Sequence, residues 1–218
     1  MKLIHSFKSA LALLGLVGAL CSATIAHAQL SYLVDINTSS IVNHSAGPFA
    51  LDFQSIAGSG TQTITLSNFG FTGGGVTGAG DYTGAISGDL VTSLVLNPNS
   101  GSFFNEFFQQ LDPTVSNISF MLNLTTNSAA PDPTSFNVAI LDSSMFNIPT
   151  TQGSPFNTLL QFDINGGSTN YQTFTSIGDT SGVTLNVTAI PEPSTYALLT
   201  GLTVLTAGVW RRRVMARA

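Results

Sequence analysis

Residues 118–124 read Ile-Ser-Phe-Met-Leu-Asn-Leu, with Ile118, Phe120, Leu122 and Leu124 at every second position. Successive side chains of an extended strand point to opposite faces, so this spacing describes a strand with one dry side. The same parity recurs on both sides of it. Upstream lie Leu30, Tyr32, Val34 and Ile36; Phe49, Leu51 and Phe53; Ile64 and Leu66; and Leu90, Leu94 and Leu96. Downstream follow Phe136, Val138 and Ile140; Leu160, Phe162 and Ile164; Tyr171, Thr173 and Thr175; and Val183, Leu185 and Val187. Turn formers separate these runs: Gly58-Ser59-Gly60, Asn97-Pro98-Asn99, Pro131-Asp132-Pro133 and Asn165-Gly166-Gly167. About nine short strands without alternating helices predict one all-β domain over residues 29–189. Its expected architecture is a single antiparallel two-sheet β-sandwich or jelly roll.

Two segments depart from that pattern. Phe103, Phe104, Phe107, Phe108 and Leu111 recur at helical spacing. They predict one short helix over residues 102–110, capping an end of the core and stopped by Asp112-Pro113. Residues 70–88 hold eight glycines and read as a mobile loop. Within them, Gly73-Gly74-Gly75-Val76-Thr77-Gly78 matches a dinucleotide fingerprint in form. No amphipathic helix follows to receive a pyrophosphate, so the match carries no cofactor.

Charge is confined to the ends. The basic residues are Lys2, Lys8, Arg211, Arg212, Arg213 and Arg217, while all eleven acidic residues lie between Asp35 and Glu192. A middle without cations cannot neutralise phosphates, which excludes nucleic acid as its partner. The one cysteine, Cys21, lies in the amino-terminal segment, so disulfides, thiol chemistry and cysteine-bound zinc are not expected of the domain. His44 is the one histidine after residue 28. It has no nucleophile-elbow motif beside it and reads as a loop residue. Ten scattered carboxylates point to no glycosidase pair, and no Asp-x-Asp-x-Asp-Gly calcium loop is present. No enzyme, metal or cofactor is therefore expected.

Residues 1–28 have the pattern of a secretory signal peptide. Lys2 and Lys8 precede the apolar run Ala10–Leu20, and Ala26 and Ala28 occupy the −3 and −1 positions of a signal peptidase cut. Gln29 becomes the new amino terminus. At the other end, Pro191-Glu192-Pro193 precedes Ser194–Trp210, 17 residues without charge, and then Arg211-Arg212-Arg213. As a helix the uncharged run spans about 25 Å, a short transmembrane helix in the inner membrane. The arginines fix its end in the cytoplasm and leave the domain outside. Each proline pushes Ile190 and Glu192 toward extended backbone, the form a protease binds.

The run PEPSTYALLTGLTVLTAGVWRRR resembles the PEP-CTERM sorting signal of Gram-negative bacteria, with all three of its parts in order over residues 190–218. The resemblance implies recognition of Pro191, Glu192 and Pro193 by an exosortase, with Arg211, Arg212 and Arg213 as the cytoplasmic stop. It also implies a transient inner-membrane intermediate, removal of the tail, and delivery to the cell surface or extracellular matrix. The segments Leu51–Gln54 (LDFQ) and Ser102–Gln109 (SFFNEFFQ) also resemble a recurring ectodomain of such proteins. That likeness implies no activity. The expected role is non-catalytic and structural. The alternative is a carbohydrate-binding module for envelope polysaccharide or exopolysaccharide, with Tyr32, Tyr82 and Tyr171 as its non-Phe aromatics.

Overall fold

The computed structural model describes residues 29–191 except Thr61, Asn99, 127–130 and 166–167, together with Gly201, Thr203 and Thr206. The expected signal peptide, Glu192, Pro193, Arg211, Arg212 and Arg213 lie outside the described residues, as does most of the expected transmembrane helix. Gly201, Thr203 and Thr206 are helical, and the Thr206 hydroxyl donates to the carbonyl of Thr203 at 2.9 Å. Among the described residues, no helix is long and apolar enough to cross a membrane.

Among the described residues twelve strands follow one another: β1 (Gln29–Asn37), β2 (Ala50–Ile56), β3 (Gln62–Thr72), β4 (Val76–Thr83), β5 (Ile86–Gly88), β6 (Ser93–Leu96), β7 (Phe104–Leu111), β8 (Asn117–Thr126), β9 (Thr134–Leu141), β10 (Leu160–Asn165), β11 (Ser168–Thr173) and β12 (Thr184–Ile190). They form two six-stranded antiparallel sheets, β12-β1-β8-β3-β6-β5 and β11-β10-β9-β2-β7-β4. The sheets lie face to face in a sandwich-like all-β fold, and the chain passes from one to the other at most of its connections.

One hydrophobic core joins the two inner faces. Val34, Ile36, Ile64, Leu66, Leu94, Ile118, Phe120 and Leu122 enter it from the first sheet, and Leu51, Phe53, Phe136, Val138, Leu160 and Phe162 from the second. All are fully buried. These are residues that the sequence alternation assigns to dry faces. Phe53 of the second sheet meets Phe120 of the first edge-on, with centroids 5.4 Å apart, a favourable geometry for aromatic rings. One end of the interior is polar: the Thr134 hydroxyl donates to Gln62 at 2.6 Å, and the amide of Ala85 donates to Asn105 at 2.6 Å.

Two expectations need correction. Residues 102–110 are not a helix; strand β7 occupies Phe104–Leu111 and pairs with β2 on one side and β4 on the other. The doubled phenylalanines satisfy both periods. In the strand, Asn105, Phe107, Gln109 and Leu111 point inward, while Phe104, Glu106 and Phe108 point outward. An isolated helix of this length is marginal, whereas a strand gains two hydrogen-bonded neighbours and suits aromatic side chains. The glycine-rich segment is not one open loop either, because it holds β4 and β5. Glycine is required there by close packing: a Cβ on Gly80 would lie 2.3 Å from Cζ of Phe107, which is buried.

Candidate functional site

Side chains two apart on a strand share a face, so Asp52 and Gln54 of β2 point away from Leu51 and Phe53. In register beside Gln54 stand Glu106 of β7 and Asn137 of β9. Beyond them, Thr83 of β4 pairs with Glu106, and Gln161 of β10 pairs with Asn137. The outer face of the second sheet thus carries a polar row: Thr83, Glu106, Gln54, Asn137 and Gln161. Phe104 and Phe108 flank Glu106 along its own strand, and Phe104 is 37% exposed.

Asp52 breaks the usual rule for a charge on an outward position, because it is completely buried. Its register neighbours are Phe108 and Ala139, and the buried pair Ala50 and Leu141 lies two residues along the same face. This apolar surround removes water from the carboxyl group. With no Lys or Arg anywhere in residues 9–210, no side-chain cation offsets that loss. Burial, and secondarily the negative field of Glu106, push Asp52 up to about 8, while the Gln54 hydrogen bond pulls the other way. Asp52 is therefore mostly protonated at neutral pH. The Gln54 side-chain nitrogen donates to Asp52 Oδ2 at 2.7 Å and to Glu106 Oε1 at 3.0 Å. Asp52 Oδ1 has no hydrogen-bond partner among the described residues.

A cleft of about 440 Å³ opens next to this cluster, lined in part by Ala50, Phe108, Asp81, Gln110, Asp142 and Met145. Its two carboxylates are engaged by nearby backbone amides. Asp142 Oδ1 accepts the amides of Ser144 and Phe146 at 2.8 and 3.1 Å, and Asp81 Oδ1 accepts that of Tyr82 at 2.8 Å.

The three tyrosines do not form one platform. Tyr32 and Tyr171 gather around Phe162, with centroid separations of 5.0 and 5.1 Å to its ring, and the Tyr32 hydroxyl bonds Thr169. Tyr171 stays 42% exposed on edge strand β11. Tyr82, 61% exposed, sits on β4 at the opposite edge of the same sheet. Five strand spacings separate those edges, about 24 Å. His44 is the expected loop residue: its Nδ1 accepts the amide of Ala46 at 3.1 Å. Gly73–Gly75 link β3, which ends at Thr72, to β4, which opens at Val76, so a strand and not a helix follows this run.

Of the residues singled out in the sequence, Pro191 alone of the sorting motif is described, and it follows the last residue of β12 directly. The Asp52–Gln54–Glu106 cluster was missed. The segments LDFQ and SFFNEFFQ that supply it carry no chemical motif of their own, and the pairing of β2 with β7 is what joins them. No family model matches the chain, and no curated protein or solved structure matches it.

Proposed function

We propose that this chain is an exported surface or extracellular-matrix protein of a Gram-negative bacterium, carrying a signal peptide over residues 1–28 and a membrane-held PEP-CTERM tail over residues 190–218. In this reading signal peptidase cuts after Ala28, and an exosortase recognises Pro191, Glu192 and Pro193 while Arg211–Arg213 hold the tail at the cytoplasmic side. The sandwich is a non-catalytic structural module.

The observation that supports it most is where the fold stops. β12 ends at Ile190, one residue before the motif, and its partner β1 opens at Gln29, with Ser31 opposite Ile190. Both ends of the domain therefore emerge together at one end of a sheet. A domain so arranged needs neither flanking segment for its pairing and can lose both without unravelling a strand. Fractionation of a host that contains an exosortase tests this reading. The wild-type chain is expected at the surface in a trimmed form, whereas Pro191→Ala/Pro193→Ala should accumulate untrimmed in the inner membrane. Identical distribution of the two would reject it.

The outer polar row favours one second reading, a carbohydrate-binding face. Amides donate to and accept from hydroxyls, carboxylates accept from them, and an exposed ring beside them can stack on a sugar. Phe104, Glu106, Gln54 and Asn137 supply that combination on adjacent strands. Co-sedimentation with the host's exopolysaccharide is expected to weaken for Phe104→Ala. Equal retention of the two proteins would dismiss this face.

A further inference from the structure

We propose that the outer face of the second sheet takes an uncharged, linear chain of β-linked hexoses, laid across the strands along the polar row. This inference rests on the carbohydrate-binding reading above and names its ligand class. The row comes first. Thr83, Glu106, Gln54, Asn137, Gln161 and Gln172 follow one another by register, one from each of β4, β7, β2, β9, β10 and β11. Each is exposed or half-buried. Neighbouring strands lie about 4.8 Å apart, so the row presents a polar group at roughly the advance of one sugar in an extended β-linked chain, over about 24 Å in all. Two residues along the same face, exposed Phe104 pairs with half-buried Ile56. They form an apolar flank that the carbon side of a sugar ring can cover.

The row is also held in place before any ligand arrives. Gln54 Nε2 donates to Glu106 Oε1 at 3.0 Å, and Gln152 Nε2 donates to Gln161 Oε1 at 3.0 Å. Side chains already fixed by one another lose less freedom on binding. Charge then selects the class. Glu106 stands in the row, Asp163 accepts from Gln161 Nε2 at 3.4 Å, and Asp81 and Asp142 line the adjoining cleft. No lysine or arginine lies anywhere in residues 9–210. The Nδ1 of His44, the one histidine after residue 28, accepts the amide of Ala46 within the β1–β2 connection. A chain of uronic acids would bring its own carboxylates close to these without a cation to pair them. A neutral chain brings hydroxyls, to which the amides donate and from which the carboxylates accept.

The test is calorimetric titration of the full-length protein in detergent with cello-oligosaccharides of increasing length, soluble mixed-linkage β-glucan, and alginate, a polyuronate. Affinity for the oligomers should climb with length and level off near about five sugars, the extent of the row. The β-glucan should bind equally at low and high salt, and alginate at neither. Asn137→Ala should weaken β-glucan binding about fivefold and Gln172→Ala about twofold, the cost of one hydrogen bond half-buried or exposed. Thr188→Ala, exposed on β12 of the other sheet, should leave it unchanged. Gln172 is exposed on an edge strand, so its variant stays a fair test even if a change on central strand β9 disturbs folding. Alginate bound as tightly as β-glucan, a plateau at two sugars, or wild-type affinity in both row variants would overturn the inference. Retention on the host's exopolysaccharide without binding of any neutral probe would also overturn it, yet leave the carbohydrate reading standing. Failure to bind the exopolysaccharide as well would dismiss both.

Discussion

On β2 the inward side chains Leu51 and Phe53 meet other carbon, whereas the outward Asp52 and Gln54 meet each other and a second carboxylate. Both faces are dry at this point, for Asp52 is as fully buried as Phe53. The inner face gains from losing water and is held by many weak contacts. The outer face loses by it and leaves one oxygen without a partner. Burial therefore means opposite things on the two sides of a single strand: stability on one, and an unfilled chemical requirement on the other.

The largest test of that contrast is Phe53→Ala. Its ring touches Phe120 across the sandwich and Phe136 within its own sheet, at 5.4 and 6.3 Å. Denaturant unfolding should show a loss of about 3–5 kcal/mol. A loss below about 1 kcal/mol would mean that the inner face is not packed as described.

Asp52→Asn should do the reverse. A carboxyl pushed up from 3.8 to about 8 favours the folded state while it is protonated. Its contribution is complete below pH 4 and falls away as the pH rises toward 8. The amide resembles the protonated acid, so the variant should match the wild type near pH 4 and exceed it at pH 8 by about 5 kcal/mol. Taking the difference between the two proteins removes the opposite influence of Asp89 and Asp112, whose carboxyls are held low by hydrogen bonds from Thr92 and Thr114. Parallel pH curves would show that Asp52 is ordinarily solvated.

Gly80→Ala sharpens the comparison at the rim, where β4 leaves room for the inward ring of Phe107. The new methyl would stand 2.3 Å from that ring, and thermal melting should report about 2 kcal/mol of lost stability. Tyr32→Phe removes the hydroxyl that bonds Thr169 at the seam between sheets. The expected cost is about 1 kcal/mol, and no measurable change would mean that the bond is matched by water.

The inner face was legible in the sequence because it obeys one rule. Each of Ile118, Phe120, Leu122 and Leu124 is apolar and alternate, and all four are buried. Alternation fails where both parities are apolar, as in Phe103-Phe104 and Phe107-Phe108, and there the spacing of a strand coincides with that of a helix. It also fails in the glycine-rich segment, where β4 is held by pairing to β7 and carries little side-chain pattern of its own. The outer site was hidden for a different reason. Asp52 alternates with Leu51 and Phe53 as any solvent-facing residue would. Only the register of three strands shows that Phe108 and Ala139 close over it and that Glu106 stands beside Gln54. The readings of the two termini rest instead on local chemistry alone: apolar length, flanking charge and proline.

The most direct measurement of the whole account is the intact mass of the protein recovered from the cell surface of its own host. The prediction is a single chain that begins at Gln29 and has lost Arg211–Arg213 together with the apolar run before them. A mass equal to residues 1–218, recovered from the cytosol, would contradict it.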